Sequence, residues 1–284
     1  MNVVQTLQKI LSWLRTFASY GVSLMRPRAG DGKGRVNAGD IRVYYRVRGQ
    51  GEPVLLLHGG FAYAESWAGQ IPALARHYRV IAPDSRGHGR TTLGTRPITY
   101  RQMAEDAAAL IEALELGPVH LIGWSDGGST SLALALQRPD LVRSIVLFGT
   151  AFSTENYTES AWSAIEGFLR QGSSELLALK LVRRLLTPEP HSWPRFLEEM
   201  SRMWRELPDF TAEELGRIEA PTLVFACDRD EFLSFGADPY RIFKETAAAI
   251  PHAKLEFVPG GTHEVLIERA KTVNQIILDF LGQV

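Results

Sequence analysis

Ser125 sits in the pentapeptide Gly123-Trp124-Ser125-Asp126-Gly127, directly after the apolar run VHLI and directly before the small-residue stretch GSTSLALAL. The pattern is G-x-S-x-G between an expected buried strand and an expected helix. A strand that turns sharply into a helix forces its corner residue into strained backbone, and flanking glycines remove the side chains that would collide there. The hydroxyl is thereby exposed at a helix N-terminus, where unpaired N–H groups and the macrodipole favour a developing oxyanion. This is an arrangement for nucleophilic chemistry, and a serine hydroxyl is a poor nucleophile until a base takes its proton.

The base must stand on the same edge of the sheet as the serine. His263 meets that demand, because it follows the last strand-like run, KLEFVP, through the turn Gly260-Gly261-Thr262. His77, His120, His191 and His252 fall inside or beside helical or strand segments and read as packing or surface residues. His58 and His88 each precede a glycine in a loop and read as loop-shaping hydrogen-bond partners. The base in turn needs an orienting carboxylate, which VFACDRDEF supplies after the penultimate strand. Asp230 is the candidate, since Asp228 is still close to the strand end while Asp230 lies one short turn farther. The competing reading makes both acids solvated loop residues paired with Arg229.

Stabilising an oxyanion takes two backbone N–H groups aimed at one point. The Asp126 N–H comes from the corner itself, and the second is expected from the loop after VLLLHGG, at Gly60 and Phe61. Phe61, Trp124 and Asp126 are the candidate substrate contacts, with Phe61 as a wall of the acyl pocket. The Asp126 carboxylate has two readings: recognition of a substrate amine, or a local hydrogen bond to nearby backbone.

These residues need a scaffold that brings strand ends together. After residue 35, strand-like runs alternate with helix-like ones: IRVYYRVRG, VLLLHGG, YRVIAPDSRGHG, the Thr99-capped TYRQMAEDAAALIEALEL, VHLIGWS and VRSIVLFGT. The expected fold class is α/β, a mostly parallel central sheet flanked by helices. From 151 to 219 the strand pattern stops, and helical segments rich in Trp162, Phe168, Trp193, Phe196, Met203 and Trp204 take over. The sheet resumes with APTLVFACDRD and AKLEFVPGGTH. The expected division is a core of 36–150 with 220–284, and a helical lid at 151–219 inserted before the last two strands. Residues 1–35 read as an N-terminal amphipathic helix and a linker, RPRAGDGKGR at 26–35.

Composition narrows the partners. With 284 residues, 45% hydrophobic, the chain can bury a large core, and a formal net charge of -1 provides no field for nucleic acid. The single cysteine, Cys227, excludes an internal disulfide and a cysteine cluster for zinc, which fits a reducing, cytoplasmic setting. No G-x-G-x-x-G follows the first strand and no Walker-type loop is present, so no cofactor and no metal are expected. The apolar period of residues 1–25 fits packing on the domain or on a second copy in a homo-oligomer. Membrane attachment through it is disfavoured, since its polar face carries only Lys9 and Arg15 as cations.

The stretches LLLHGGF, IAPDSRGHGRT, GWSDGG, ACDRDEF and PGGTH occur in an order that resembles the α/β-hydrolase superfamily, and the resemblance covers about residue 36 to 284. The GWSDGG corner is most similar to the subgroup of valacyclovir hydrolase-like esterases and carbon–carbon bond hydrolases. The resemblance implies nucleophile Ser125, acid Asp230 and base His263, in that chain order. It also implies that Asp84, Arg86 and His88 brace the corner region. One departure is Cys227, where similar sequences often carry glycine.

The expected function is therefore a serine hydrolase that cleaves a small carboxylic ester or related acyl substrate through an acyl-enzyme. A carbon–carbon bond hydrolase, a lactonase and a cofactor-free haloperoxidase or perhydrolase would use the same three residues. A ligand receptor on the same scaffold, with turnover lost, is the reading of another class.

Overall fold

The computed structural model describes residues 31–170 and 173–284. The expected N-terminal helix, and the linker up to residue 30, lie outside the described residues. Eight strands form one sheet: β1 (Gly32–Ala38), β2 (Ile41–Arg48), β3 (Pro53–Leu57), β4 (Arg79–Pro83), β5 (Val119–Trp124), β6 (Val142–Phe148), β7 (Thr222–Cys227) and β8 (Ala253–Val258). Their spatial order is β1-β2-β4-β3-β5-β6-β7-β8. The pairs β1–β2 and β2–β4 are antiparallel, and every later pair is parallel. Parallel neighbours need crossovers, which are α1 (Ile71–Leu74), α2 (Tyr100–Ala113) and α3 (Asp126–Gln137) in the first half.

Burial explains the sequence pattern. Strands β5 and β7 are buried at every position, as a sheet covered on both faces requires, so they read as unbroken apolar runs. Helix α2 starts where Thr99 accepts a hydrogen bond from the Gln102 N–H at 3.0 Å. Because β3 has β4 on one side and β5 on the other, the chain changes direction there. The carboxyl ends of β3 and β5 therefore flank a crevice, the usual place for ligands in such sheets.

Between β6 and β7 the chain departs into α4 (Glu159–Phe168), α5 (Ser174–Leu186), α6 (Trp193–Glu206) and α7 (Ala212–Leu215). An isolated bridge between Ser153 and Asp209 ties the two ends of this insertion together. Helix α6 buries Trp193, Phe196, Met200 and Met203 along one stripe at helical spacing. Its other side is fastened to the loop after β4: Arg195 donates to Gly94 O at 2.7 Å, and Glu199 accepts from the Ile98 N–H at 3.1 Å. Downstream, α8 (Arg241–Ala249) joins β7 to β8, and α9 (Val265–Glu268) and α10 (Ala270–Leu281) close the chain.

One boundary differs from the sequence reading. Residues 32–35 belong to β1 rather than to the linker, with Gly32 opposite Val47 and Gly34 opposite Tyr45. Glycine is a poor strand former by itself, but Gly34 makes room for its neighbour. A Cβ there would lie 2.5 Å from the Tyr45 hydroxyl.

Candidate active site

Strand β5 runs straight into Ser125, whose φ of 54° and ψ of -118° place a non-glycine residue in sparsely populated backbone space. Packing imposes that geometry. The Ser125 N–H donates to Phe148 O at 2.8 Å, and Ser125 O accepts from the Gly128 N–H at 2.8 Å, which begins α3. A side chain on Gly127 would strike the Leu57 carbonyl, and one on Gly123 would strike Gly127 O at 2.5 Å. The corner can be this tight only with glycine at both sites.

The Ser125 side chain does not cap α3, and among the described residues its hydroxyl forms no hydrogen bond to His263. Such bonds tighten when substrate is present. The structure does join the other two members. His263 Nδ1 donates to Asp230 Oδ2 at 2.8 Å, and Asp230 Oδ1 accepts from the Phe232 and Leu233 N–H groups at 2.9 and 3.1 Å. The carboxylate is 1% exposed and the imidazole 9%. With Nδ1 facing the carboxylate, Nε2 is left as the basic nitrogen. Burial works to lower the His263 pKa. The charge and hydrogen bond of Asp230, with Glu231 and Glu264 beyond, outweigh it and raise the imidazole above its ordinary value.

Asp228 goes elsewhere, accepting from the Gly260 N–H at 2.5 Å, while the Arg229 N–H donates to Gly261 O at 2.9 Å. Both contacts hold the loop that carries His263. Cys227, where the resemblance departs, is buried under that loop, and burial pushes its thiol up to about 12. A Cβ on Gly261 would lie 2.8 Å from its sulfur. Trp124 belongs to the same support. Its indole N–H donates to His263 O at 2.9 Å and the ring is buried, so that N–H is engaged by the loop that carries His263.

The loop after β3 lies against the corner. A Cβ on Gly59 would be 3.2 Å from Ser125 Cβ, and Phe61 has a φ of 59°, a second strained non-glycine residue at the same place. Among the described residues neither the Phe61 nor the Asp126 N–H has a backbone acceptor. Gly60 is overlaid by the insertion, since a side chain there would strike the Trp204 ring and come within 2.7 Å of Asp126 Oδ2.

The Asp126 carboxylate does not make the expected local hydrogen bond to nearby backbone. Its donors are side chains: the Tyr100 hydroxyl to Oδ1 at 2.9 Å, and the Trp204 N–H to Oδ1 at 3.0 Å and Oδ2 at 2.9 Å. Burial raises its pKa to about 6, with these hydrogen bonds and the His263 charge pulling the other way. Gly149 and Tyr100 lie at the site although the sequence pattern did not single them out, and Trp204 was read only as one of several aromatic residues of the insertion. Gly149, with φ 53°, underlies the imidazole so closely that a Cβ would be 2.6 Å from both His263 Nδ1 and Cε1. Its sequence signal was a glycine immediately after β6.

The bracing residues form networks of their own. Asp84 Oδ2 binds the Arg90 Nε at 2.8 Å, Arg86 Nη2 meets Asp106 Oδ1 at 2.6 Å, and His58 Nε2 accepts from the Ser85 N–H at 2.9 Å. His88 is buried, with Nδ1 donating to Arg86 O at 2.9 Å. A cavity of about 850 Å³ lies between α5 and α6 and touches neither Ser125 nor His263. Among the described residues, no cluster of His, Cys, Asp and Glu could hold a metal, and no helix is long and apolar enough to cross a membrane.

Comparison with known proteins agrees with this architecture. Residues 52–188 match the family model described as alpha/beta hydrolase fold. The 2-hydroxy-6-oxo-6-(2'-aminophenyl)hexa-2,4-dienoic acid hydrolase of Metapseudomonas resinovorans is 42% identical over 120 residues, 41% of each chain. The pyrrolizixenacetamide deacetylase of Xenorhabdus hominickii is 28% identical over 216 residues, covering 70% of this chain and 81% of its own. A solved serine hydrolase involved in carbazole degradation superposes with a TM-score of 0.73 at 27% identity, over 89% of this chain and 100% of that one. With a corner serine on a mostly parallel eight-stranded sheet and hydrolases among its relatives, this chain is an enzyme with the α/β-hydrolase fold.

Proposed function

We propose that the enzyme is a serine hydrolase that cleaves a small carboxylic ester or related acyl substrate through an acyl-enzyme. The observation that carries this reading is the buried 2.8 Å bond between His263 Nδ1 and Asp230 Oδ2, on the same sheet edge as the strained Ser125. His263 Nε2 takes the Ser125 proton, and Oγ attacks the substrate carbonyl carbon. The carbonyl oxygen becomes an oxyanion held by the Phe61 and Asp126 N–H groups, with Gly60 leaving room for its approach. His263 then gives its proton to the departing alcohol, leaving the acyl group on Ser125. Water, deprotonated by the same nitrogen, attacks the acyl carbon, and the proton returns to Ser125 Oγ as the acid leaves. Helices α4–α7 serve as the lid, and Phe61 walls the acyl side.

The test is hydrolysis of short p-nitrophenyl esters by the wild type and Ser125→Ala. The expected result is turnover that the substitution removes to background. Equal turnover by both proteins refutes the reading, and ligand binding without any turnover supports a receptor instead. A second reading, carbon–carbon bond hydrolysis by the same residues, draws on the 42% identical segment shared with the Metapseudomonas enzyme. Loss of absorbance from a vinylogous diketone acid, faster than ester hydrolysis and equally dependent on Ser125, distinguishes it.

A further inference from the structure

The residue after the corner serine has an unusual set of partners. Asp126 is 8% exposed, and three hydrogen-bond contacts from two donors, Tyr100 and Trp204, fill its carboxylate. The donors come from opposite sides. Tyr100 opens α2 in the core, whereas Trp204 is near the end of α6 in the insertion, 78 residues beyond Asp126 along the chain. The Trp204 ring lies over Gly60, packs edge-on against Phe61 at 5.6 Å between centroids and meets Phe168 at 5.7 Å. These three aromatic rings close the space above the loop where a substrate carbonyl would sit. Of the three, Trp204 alone has a polar tether to the corner.

We propose that Trp204 sets the upper size limit of the acyl group, and that Asp126 is its positioning residue, clamped from behind by Tyr100. The proposal rests on the serine-hydrolase reading. An indole N–H can only donate, so it needs an acceptor when buried, and Asp126 supplies two oxygens at hydrogen-bond distance. Because the Asp126 N–H is also an oxyanion donor, one residue ties the roof of the chamber to the point of charge development. The carboxylate is already occupied, so recognising a substrate amine would require displacing Trp204.

The experiment is a kcat/KM comparison of p-nitrophenyl octanoate with p-nitrophenyl acetate, which differ only on the acyl side. Trp204→Ala is expected to raise the octanoate-to-acetate ratio on the order of tenfold, the scale of a few methylenes in an apolar pocket. Trp204→Phe keeps an aromatic ring, smaller than the indole, and loses the N–H, and Asp126→Asn replaces one of the two acceptors with a donor. Each is expected to move the ratio the same way, and the double variant no farther than either alone, since both break one contact. If Asp126→Asn does not fold, Tyr100→Phe takes its place in the cycle.

The groups facing Asp126 are Tyr100 from α2, Trp204 from α6, Tyr157 before α4 and His263 after β8. His263 acts on both esters alike and cancels in the ratio. The wild-type ratio should therefore approach that of Asp126→Asn as pH falls through about 6, while the variant stays flat. A ratio within twofold of wild type in Trp204→Ala, with Ser125→Ala inactive, overturns the proposal and leaves the hydrolase reading standing. Additive effects of the two single variants, or a loss in Asp126→Asn confined to amine-bearing esters, overturn it as well. Turnover persisting in Ser125→Ala overturns the reading beneath it.

Discussion

Replacing Gly149 by alanine separates a backbone penalty from a catalytic one. At φ 53° an alanine sits in the left-handed region, which disfavours the folded state by about 1–2 kcal/mol. The added Cβ would also stand 2.6 Å from His263 Nδ1 and Cε1 and 3.2 Å from Asp230 Oδ2. Carbon atoms in contact settle about 3.5–4.0 Å apart, so the imidazole or the Gly149 backbone must shift by about 1 Å. A shift of that size disrupts the 2.8 Å bond to Asp230 and misdirects Nε2, and a misplacement of about 1 Å can lower the rate on the order of 100-fold. Gly117→Ala is the control. Gly117 has φ 69°, and a Cβ added there would meet nothing within 4 Å, so it carries the backbone penalty alone. Thermal unfolding should show the backbone penalty in both variants and a further loss in Gly149→Ala from the displaced side chains, and ester kinetics should show the large loss in kcat only for Gly149→Ala. A Gly149→Ala enzyme that keeps more than about half of the wild-type kcat/KM would refute the placement of His263 over Gly149.

Two further outcomes follow from the charges. Base catalysis needs neutral His263, and Asp230 holds the proton on it, so kcat/KM should rise with pH through a titration above the ordinary histidine value of 6.5. Asp230→Asn should move that titration down and lower kcat on the order of 10⁴-fold, and an unmoved pH profile would count against the pair. For stability, Asp126 has a folded pKa of about 6 against 3.8 when unfolded, so the folded state binds the proton more tightly. Its contribution is therefore full below 3.8 and is lost as pH rises through 6. The difference in unfolding free energy between wild type and Asp126→Asn should shift against the wild type by about 2 kcal/mol from about pH 4.5 to 7.5. Denaturant titrations at the two pH values measure it, and a constant difference would show that Asp126 is not buried as a carboxylate.

What the sequence disclosed follows from what each element had to do locally. The corner at Ser125 is readable because its steric demands fall on residues two or three positions away, Gly123, Gly127 and Gly128. His263 and Asp230 are readable because each closes a strand at the same sheet edge, where β7 and β8 lie side by side in parallel register. Strand β1 escaped, because two glycines in seven residues look like a loop until Val47 beside Gly32 and the Tyr45 ring beside Gly34 are known.

Asp126 shows the limit more sharply. Its identity follows from the motif, but the fate of its carboxylate depends on partners 26 and 78 residues away, on two elements whose relative placement no local pattern encodes. The tryptophans of α6 look alike in a helical stripe, yet Trp193 is buried at the start of the helix, while Trp204, near its end, meets the corner. Only the way α6 is fastened along the loop after β4, through Arg195 and Glu199, decides which of them reaches the corner. The corner and the His263–Asp230 pair were legible because they are set at strand ends. The contact of Trp204 with the corner was not, because it is set by how the insertion lands on them.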